Sequence, residues 1–121
     1  MTILIIDDDK LTVKALQHSI SQLGHTTDVA KDGEEAITKI KDGNFDLIIT
    51  DIMMPGISGL SLVNVLRSVQ LCFTPIIMMS SINNNPLVEA ALKAGANDFI
   101  DKPVSIEELA LKIRNFEMSR S

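Results

Sequence analysis

The chain has no tryptophan, no tyrosine and a single cysteine among its 121 residues. Cys72 alone cannot close an internal disulfide, and no Cys/His spacing matches a zinc site. Stability must therefore come from an apolar core, which a chain of this length can build. Without Trp or Tyr there is no stacking platform for bases or sugars. Lys and Arg number 11 against 16 Asp and Glu, a net charge of −5, and they form no contiguous basic cluster of the kind that tracks phosphates. Direct nucleic-acid binding by this chain is not expected. No apolar run reaches the roughly 18 residues a membrane span needs, and the N-terminus has neither a basic n-region nor a cleavage site. The expectation is a cytoplasmic protein with no membrane contact. Glycine-rich phosphate cradles are missing too: neither G-x-G-x-x-G nor G-x-x-x-x-G-K occurs.

What is present is an alternation. Ile3 to Ile6 is a short apolar run bounded by acids, too short for a helix, and reads as a strand buried on both faces. Leu11, Ala15, Leu16, Ile20 and Leu23 then recur at helical spacing up to Gly24, a suitable residue just past a helix end. Thr26 to Ala30 is a weaker strand, followed by a helix from Gly33 whose Ala36, Ile37 and Ile40 share one face and which stops at Gly43. Phe45 to Thr50 is a third strand, ending on Asp51. A third helix opens near Ser58 and carries Leu60, Val63, Leu66 and Arg67. Pro75 to Met79 leads to Ser80, and a fourth helix runs from about Pro86 to Ala94 with Asn84 or Asn85 as its cap. Asp98 to Asp101 is a short fifth strand, and Ser105 with Glu108 forms a capping box for the last helix.

Strict β-then-α alternation predicts a parallel sheet with helices on both faces, joined by right-handed crossovers. One domain over residues 1–121 is expected. In open sheets of this kind ligands sit beyond the carboxyl ends of the strands, near the point where strand order reverses. The loops there contain Asp7, Asp8, Asp51, Ser80 and Lys102. Two carboxylates about 4 Å apart repel by roughly 4 kcal/mol at an effective dielectric near 20, so Asp7-Asp8-Asp9 demands a reason. A hard divalent cation supplies it, because Mg²⁺ takes one or two carboxylates, keeps waters and accepts phosphate oxygens. Lys102 offers a point charge to a phosphoryl oxygen and Ser80 a hydroxyl. Asp51 is then free to act as a nucleophile that forms an acyl phosphate.

Asp7-Asp8, Asp51 within Ile49-Thr50-Asp51-Ile52-Met53-Met54-Pro55-Gly56-Ile57-Ser58-Gly59, Ser80 closing Pro75-Ile76-Ile77-Met78-Met79-Ser80, and Asp101-Lys102-Pro103 together resemble the receiver domain of two-component response regulators. The resemblance runs from Met1 nearly to the end. It implies an α/β, flavodoxin-like (βα)5 fold, with a five-stranded parallel sheet of order 2-1-3-4-5. It implies Asp51 as phosphoacceptor, with Mg²⁺ (or Mn²⁺) held by Asp8 directly, by Asp7 mainly through water, by Asp51 and by the backbone carbonyl of Met53. Lys102 would grip the phosphoryl group ahead of a cis bond to Pro103. Ser80 and Phe99 would form a switch pair that alters the surface of the fourth helix, fifth strand and fifth helix. The implied partners are a sensor histidine kinase or histidine phosphotransfer protein and a downstream protein target, with phosphorylation-dependent pairing of two copies. Such a chain catalyses its own phosphoryl transfer and is not a turnover enzyme on an external substrate.

Plainer readings apply to other residues. Asp9 is an N-cap, Phe99 by periodicity is a core or half-buried aromatic, and Met53, Met54, Met78 and Met79 are core or loop packing. His18 and His25 read as surface residues without partners, and Cys72 as an inert loop thiol. Two rival functions remain open on the residues alone. A phosphohydrolase with aspartyl chemistry usually carries a second acid two residues past its nucleophile, where this chain has Met53. A phosphate-independent interaction module would not need the full set of acids with Ser80 and Lys102. The resemblance implies that Met53 and Ile82, two past the phosphoacceptor and two past the hydroxyl residue, flank the water approach to a phosphorylated Asp51; neither has a side-chain atom able to orient water usefully, so slow self-dephosphorylation is expected unless Asn83 or Asn84 holds the water.

Overall fold

Ile3, Leu4, Ile5 and Ile6 are fully shielded from solvent, because the strand they form lies between two others and is covered above and below. This is β1 (Thr2–Ile6), and in the computed structural model, which describes residues 1–81 and 85–120, it pairs in parallel with β2 (Thr26–Ala30) on one side and β3 (Leu47–Asp51) on the other. Next come β4 (Ile76–Ser80) and β5 (Asp98–Asp101), completing a five-stranded sheet of order β2-β1-β3-β4-β5. Each crossover is a helix: α1 (Lys10–Gln22), α2 (Gly33–Asp42), α3 (Gly59–Asn64, continued by a π turn over Val65–Val69) and α4 (Asn85–Ala94), with α5 (Ile106–Ser119) closing the chain. The fold is the expected flavodoxin-like one.

Alternate residues of each strand feed opposite cores, as the period of two requires. Ile3, Ile5, Leu47, Ile49, Ile77 and Met79 meet Leu16 and Ile20 of α1 and Leu109 and Ile113 of α5. Leu4, Ile6, Ile48, Ile76 and Met78 meet Ala36 of α2, Leu62 and Leu66 of the third helix, and Ala91 of α4. β2 is an edge strand and is only partly buried until Ala30, which is why it read as the weakest in sequence.

Several expectations need correction. The buried face of α1 is Val13, Leu16 and Ile20, whereas Leu11 is 79% exposed and Leu23 45%, and Ala15 is exposed as well; of the expected stripe only Leu16 and Ile20 face the core. Asn85 is the first residue of α4 rather than its cap, and Asn84 lies outside the described residues. His25 is not without a partner: the Thr2–Thr26 register sets it beside the chain start, and its Nδ1 is 2.9 Å from the Met1 amino nitrogen. The Asp9 cap holds, Ser58 proves to be a cap as well, and of the Ser105–Glu108 capping box the Ser105 half is formed while the Ser105 hydroxyl donates to Glu107 Oε2 at 3.3 Å. Asp9, Ser58 and Ser105 accept from the amides of Leu11, Ser61 and Glu108, and Gly24 takes the left-handed φ of +91° that a side chain would resist.

Candidate functional site

The sheet order reverses between β1 and β3, so their carboxyl ends frame one crevice. Asp7 follows β1 directly and is buried, with 2% of its surface exposed. Its Oδ1 accepts from the Asp9 amide at 2.9 Å, which turns the chain so that Asp8 faces solvent and Asp9 caps α1. Asp51 is the last residue of β3 and is 8% exposed. Its Oδ1 accepts from the Met53 amide at 3.2 Å, a contact that fixes the carboxylate against its own loop.

Lys102 comes from the far side. Its amide donates to the Ser80 carbonyl at 2.7 Å, extending the β4–β5 pairing by one residue, and the Lys102–Pro103 bond is cis as expected. From there the side chain reaches back across β4, and its Nζ lies 3.1 Å from Asp7 Oδ2 and 3.0 Å from Asp51 Oδ2. One ammonium is thus shared by two buried carboxylates. Carboxylate oxygens of Asp7, Asp8 and Asp51 can all lie within 4.8 Å of one another. Three negative charges against one positive leave the cluster under-neutralised, and every donor is a hard oxygen. That donor set fits Mg²⁺ or Mn²⁺ and not a soft metal.

The charges respond to this crowding. Burial pushes the Asp51 carboxyl above the ordinary value of 3.8; the bonds from Lys102 and the Met53 amide pull the other way, and the Asp7 charge adds to the rise. For Lys102 burial acts downward, but the bonds to Asp51 and Asp7 outweigh it and hold its ammonium above the usual 10.5. The buried anion is therefore strained toward neutrality while the lysine is locked as a cation.

Ser80 ends β4 and is 1% exposed. The register sets Asp51 opposite Met79 on β4, so Ser80 is the next residue along beside the crevice. Phe99 lies on β5 opposite Met78 and is 37% exposed, half in and half out of the surface. Met53 is 57% exposed at the mouth, and Ile82, Asn83 and Asn84 lie outside the described residues. One positioning residue escaped the sequence reading. A Cβ on Gly59 would meet the Asp51 carbonyl at 2.6 Å and Ile52 Cα at 2.7 Å, and the Gly59 amide donates to the Ile52 carbonyl at 3.0 Å. The start of α3 packs directly on the backbone that carries Asp51, and only glycine permits it. The signal was a glycine straight after a Ser cap, where a side chain would normally be welcome.

Residues 3–114 match the family described as the response regulator receiver domain. The chain is 35% identical to the response regulator MprA of Mycobacterium avium, the match covering 94% of this chain and 50% of that protein. It is 33% identical to the transcriptional regulatory protein YkoG of Bacillus subtilis, over 93% of this chain and 49% of that one. The chain thus spans about half the length of the curated relatives it matches. Among solved structures, the receiver domain of Francisella response regulator 1452 superposes with a TM-score of 0.91 at 34% identity, covering 99% of this chain and 98% of that one.

Proposed function

The chain belongs to the response regulator receiver family of two-component systems, and from that premise we propose that Asp51 accepts a phosphoryl group in a Mg²⁺-dependent reaction. The observation that carries the proposal is the sharing of Lys102 between Asp51 and Asp7, at 3.0 and 3.1 Å, inside a cluster of three carboxylates. Asp7, Asp8, Asp51 and the Met53 carbonyl would hold the metal. Bound there, Mg²⁺ would neutralise the cluster and take a phosphoryl oxygen as a ligand.

The residues of the chain divide the remaining work. An Oδ of Asp51 attacks phosphorus in line with the departing group, and burial keeps that oxygen poorly solvated and reactive. Lys102 gives up its present bond to Asp51 and turns its ammonium to a phosphoryl oxygen. Ser80 donates its hydroxyl to another. As Ser80 moves toward the site, Phe99 swings inward, and the α4–β5–α5 face changes for a downstream protein or a second copy. The donor is a histidine kinase or a histidine phosphotransfer protein. Met53 at the mouth contributes no polar side-chain atom, which favours a long-lived acyl phosphate.

The test is Asp51→Asn with acetyl phosphate in Mg²⁺. The isosteric amide keeps the packing and cannot serve as nucleophile, so uptake should vanish while the circular dichroism spectrum stays unchanged. Phosphorylation at the wild-type rate, mapped to another residue, refutes the assignment. Beryllofluoride, a phosphoryl mimic, should shift amide resonances across residues 85–112; shifts confined to the acid loop would remove the switch from the proposal.

A further inference from the structure

A cavity of about 610 Å³ lies between α1 and the β2–α2 junction and opens onto Asp7 and Asp8, so it is continuous with the site. Its apolar walls include Val13, Val29 and Pro55, and Lys10, Lys14 and Lys31 stand around it. Lys10 and Lys14 share one face of α1, four residues apart. Lys31 follows β2, which the β1–β2 pairing brings alongside. All three are exposed, and none has an ion-pair partner among the described residues. Of the three acids that line it, Asp32 Oδ1 caps α2 through the Glu35 amide at 2.8 Å, Asp7 is held by Lys102 and the Asp9 amide, and Asp8 is the exposed carboxylate of the proposed metal cluster. In a chain of net charge −5, three unpaired ammonium groups converge on one small groove beside an anionic centre. That arrangement suits an anion that arrives or departs there.

We infer that this groove is a leaving-group subsite for small acyl phosphate donors. The inference rests on the reading of Asp51 as phosphoacceptor. In the transfer an Asp51 oxygen forms its bond to phosphorus while the bridging P–O bond breaks. Both electrons of that bond leave with the carboxylate, and no proton moves. Negative charge therefore accumulates on the departing carboxylate during the reaction, beside Lys10, Lys14 and Lys31, and its alkyl part meets Val13 and Val29. An attraction that grows as the bond breaks accelerates the step. A donor whose leaving group departs as a neutral amine draws no such benefit, so the three lysines select by leaving-group charge.

The experiment compares acetyl phosphate with phosphoramidate as donors to the full chain in Mg²⁺ at fixed ionic strength, for the wild type and for Lys10→Gln/Lys14→Gln/Lys31→Gln. The rate constant with acetyl phosphate should fall about tenfold in the variant, while that with phosphoramidate should change less than about twofold. A second readout needs no turnover. Acetonylphosphonate, an unreactive analogue of acetyl phosphate, should shift the amide resonances of residues 10–17 and 29–32 in the wild type and bind the triple variant more weakly. A rate ratio between donors that is unchanged in the variant, or acetonylphosphonate shifts absent from those residues, overturns the subsite and leaves the lysines to a protein partner or to solvent. A wild type that takes phosphoryl from neither donor would instead overturn the phosphoacceptor reading itself.

Discussion

At the carboxyl ends of the strands one ammonium, Lys102, is shared by Asp7 and Asp51 with Asp8 close by. At the amino ends one guanidinium, Arg67, forms no ion pair with a carboxylate among the described residues. Its Nη1 donates to the carbonyls of Cys72 and Thr74, both at 2.8 Å. Its Nε and Nη2 donate to the Gly95 carbonyl at 3.1 and 2.9 Å, and Nη2 also reaches Asn97 Oδ1 at 2.9 Å. Asn97 Oδ1 in turn accepts from the Ile76 amide. Arg67 thus ties the π turn of the third helix, the loop where Leu71 adopts a φ of +51°, the end of α4 and the approach to β5. Gly95, at φ +126°, is small enough to let the arginine stem pass; a Cβ there would sit 2.8 Å from Arg67 Cγ. One end of the sheet has its charge satisfied by fixed dipoles and is structural. The other is left short of positive charge and is where we propose that a cation and a phosphoryl group are received.

The largest stability effect should come from the satisfied end. Arg67→Met keeps the aliphatic stem and removes five donor contacts, so urea denaturation should show a loss of about 3 kcal/mol. The Mg²⁺ response of the variant should survive. A loss below about 0.5 kcal/mol would mean that water replaces the guanidinium without cost and that the two ends differ less than their geometry suggests.

The acid end should behave in the opposite way. Mg²⁺ at about 100 times its Kd should stabilise the wild type by roughly 2.7 kcal/mol, and Asp8→Ala should abolish most of that gain without lowering metal-free stability. A thermal shift with Mg²⁺ that persists in Asp8→Ala would place the metal elsewhere. The pH dependence carries the same sign. Because the folded protein holds the Asp51 proton more tightly than the unfolded chain, this group favours folding in acid, and its contribution falls as pH rises from 3.8 through the raised value. Metal-free Asp51→Asn should therefore melt above the wild type at neutral pH and converge with it in acid.

The smallest effect should belong to neither end. Lys39 Nζ lies 2.9 Å from Asp28 Oδ1 on the edge strand, with side chains 33% and 48% exposed, and the bond to Lys39 is the main cause holding the Asp28 carboxyl below its usual range. Its stabilisation is present above the ordinary pKa of 3.8 and lost as pH falls through the lowered one. Asp28→Asn should cost under about 0.5 kcal/mol at neutral pH, since solvent and salt screen the pair. A larger loss would show that edge-strand charge matters as much as the two ends.

Local pattern alone determined a good deal of this protein. Apolar runs of four or five residues separated by periodic helices dictated a parallel α/β sheet, because no other arrangement buries both faces of Ile3–Ile6 and Leu47–Thr50. The order of Asp7, Asp51, Ser80 and Lys102 along the chain fixed which residues stand at the same edge, since in such a sheet every strand ends there. What remained illegible depends on distance through space. That Lys102 spans from β5 to meet Asp7, 95 residues earlier, follows from strand order and side-chain reach, neither of which has a local signature. Arg67 looked like one more polar position on a helix, because its partners are carbonyls of Cys72, Thr74 and Gly95, and a backbone carbonyl leaves no trace in residue identity. Lys10, Lys14 and Lys31 formed no basic cluster in the sequence and became neighbours only when β1 and β2 paired. Sequence therefore determined the fold and the chemical inventory, and the tertiary structure decided which charges are shared, which are satisfied and which are left free, because electrostatic partners are set by distance in space and not by separation along the chain.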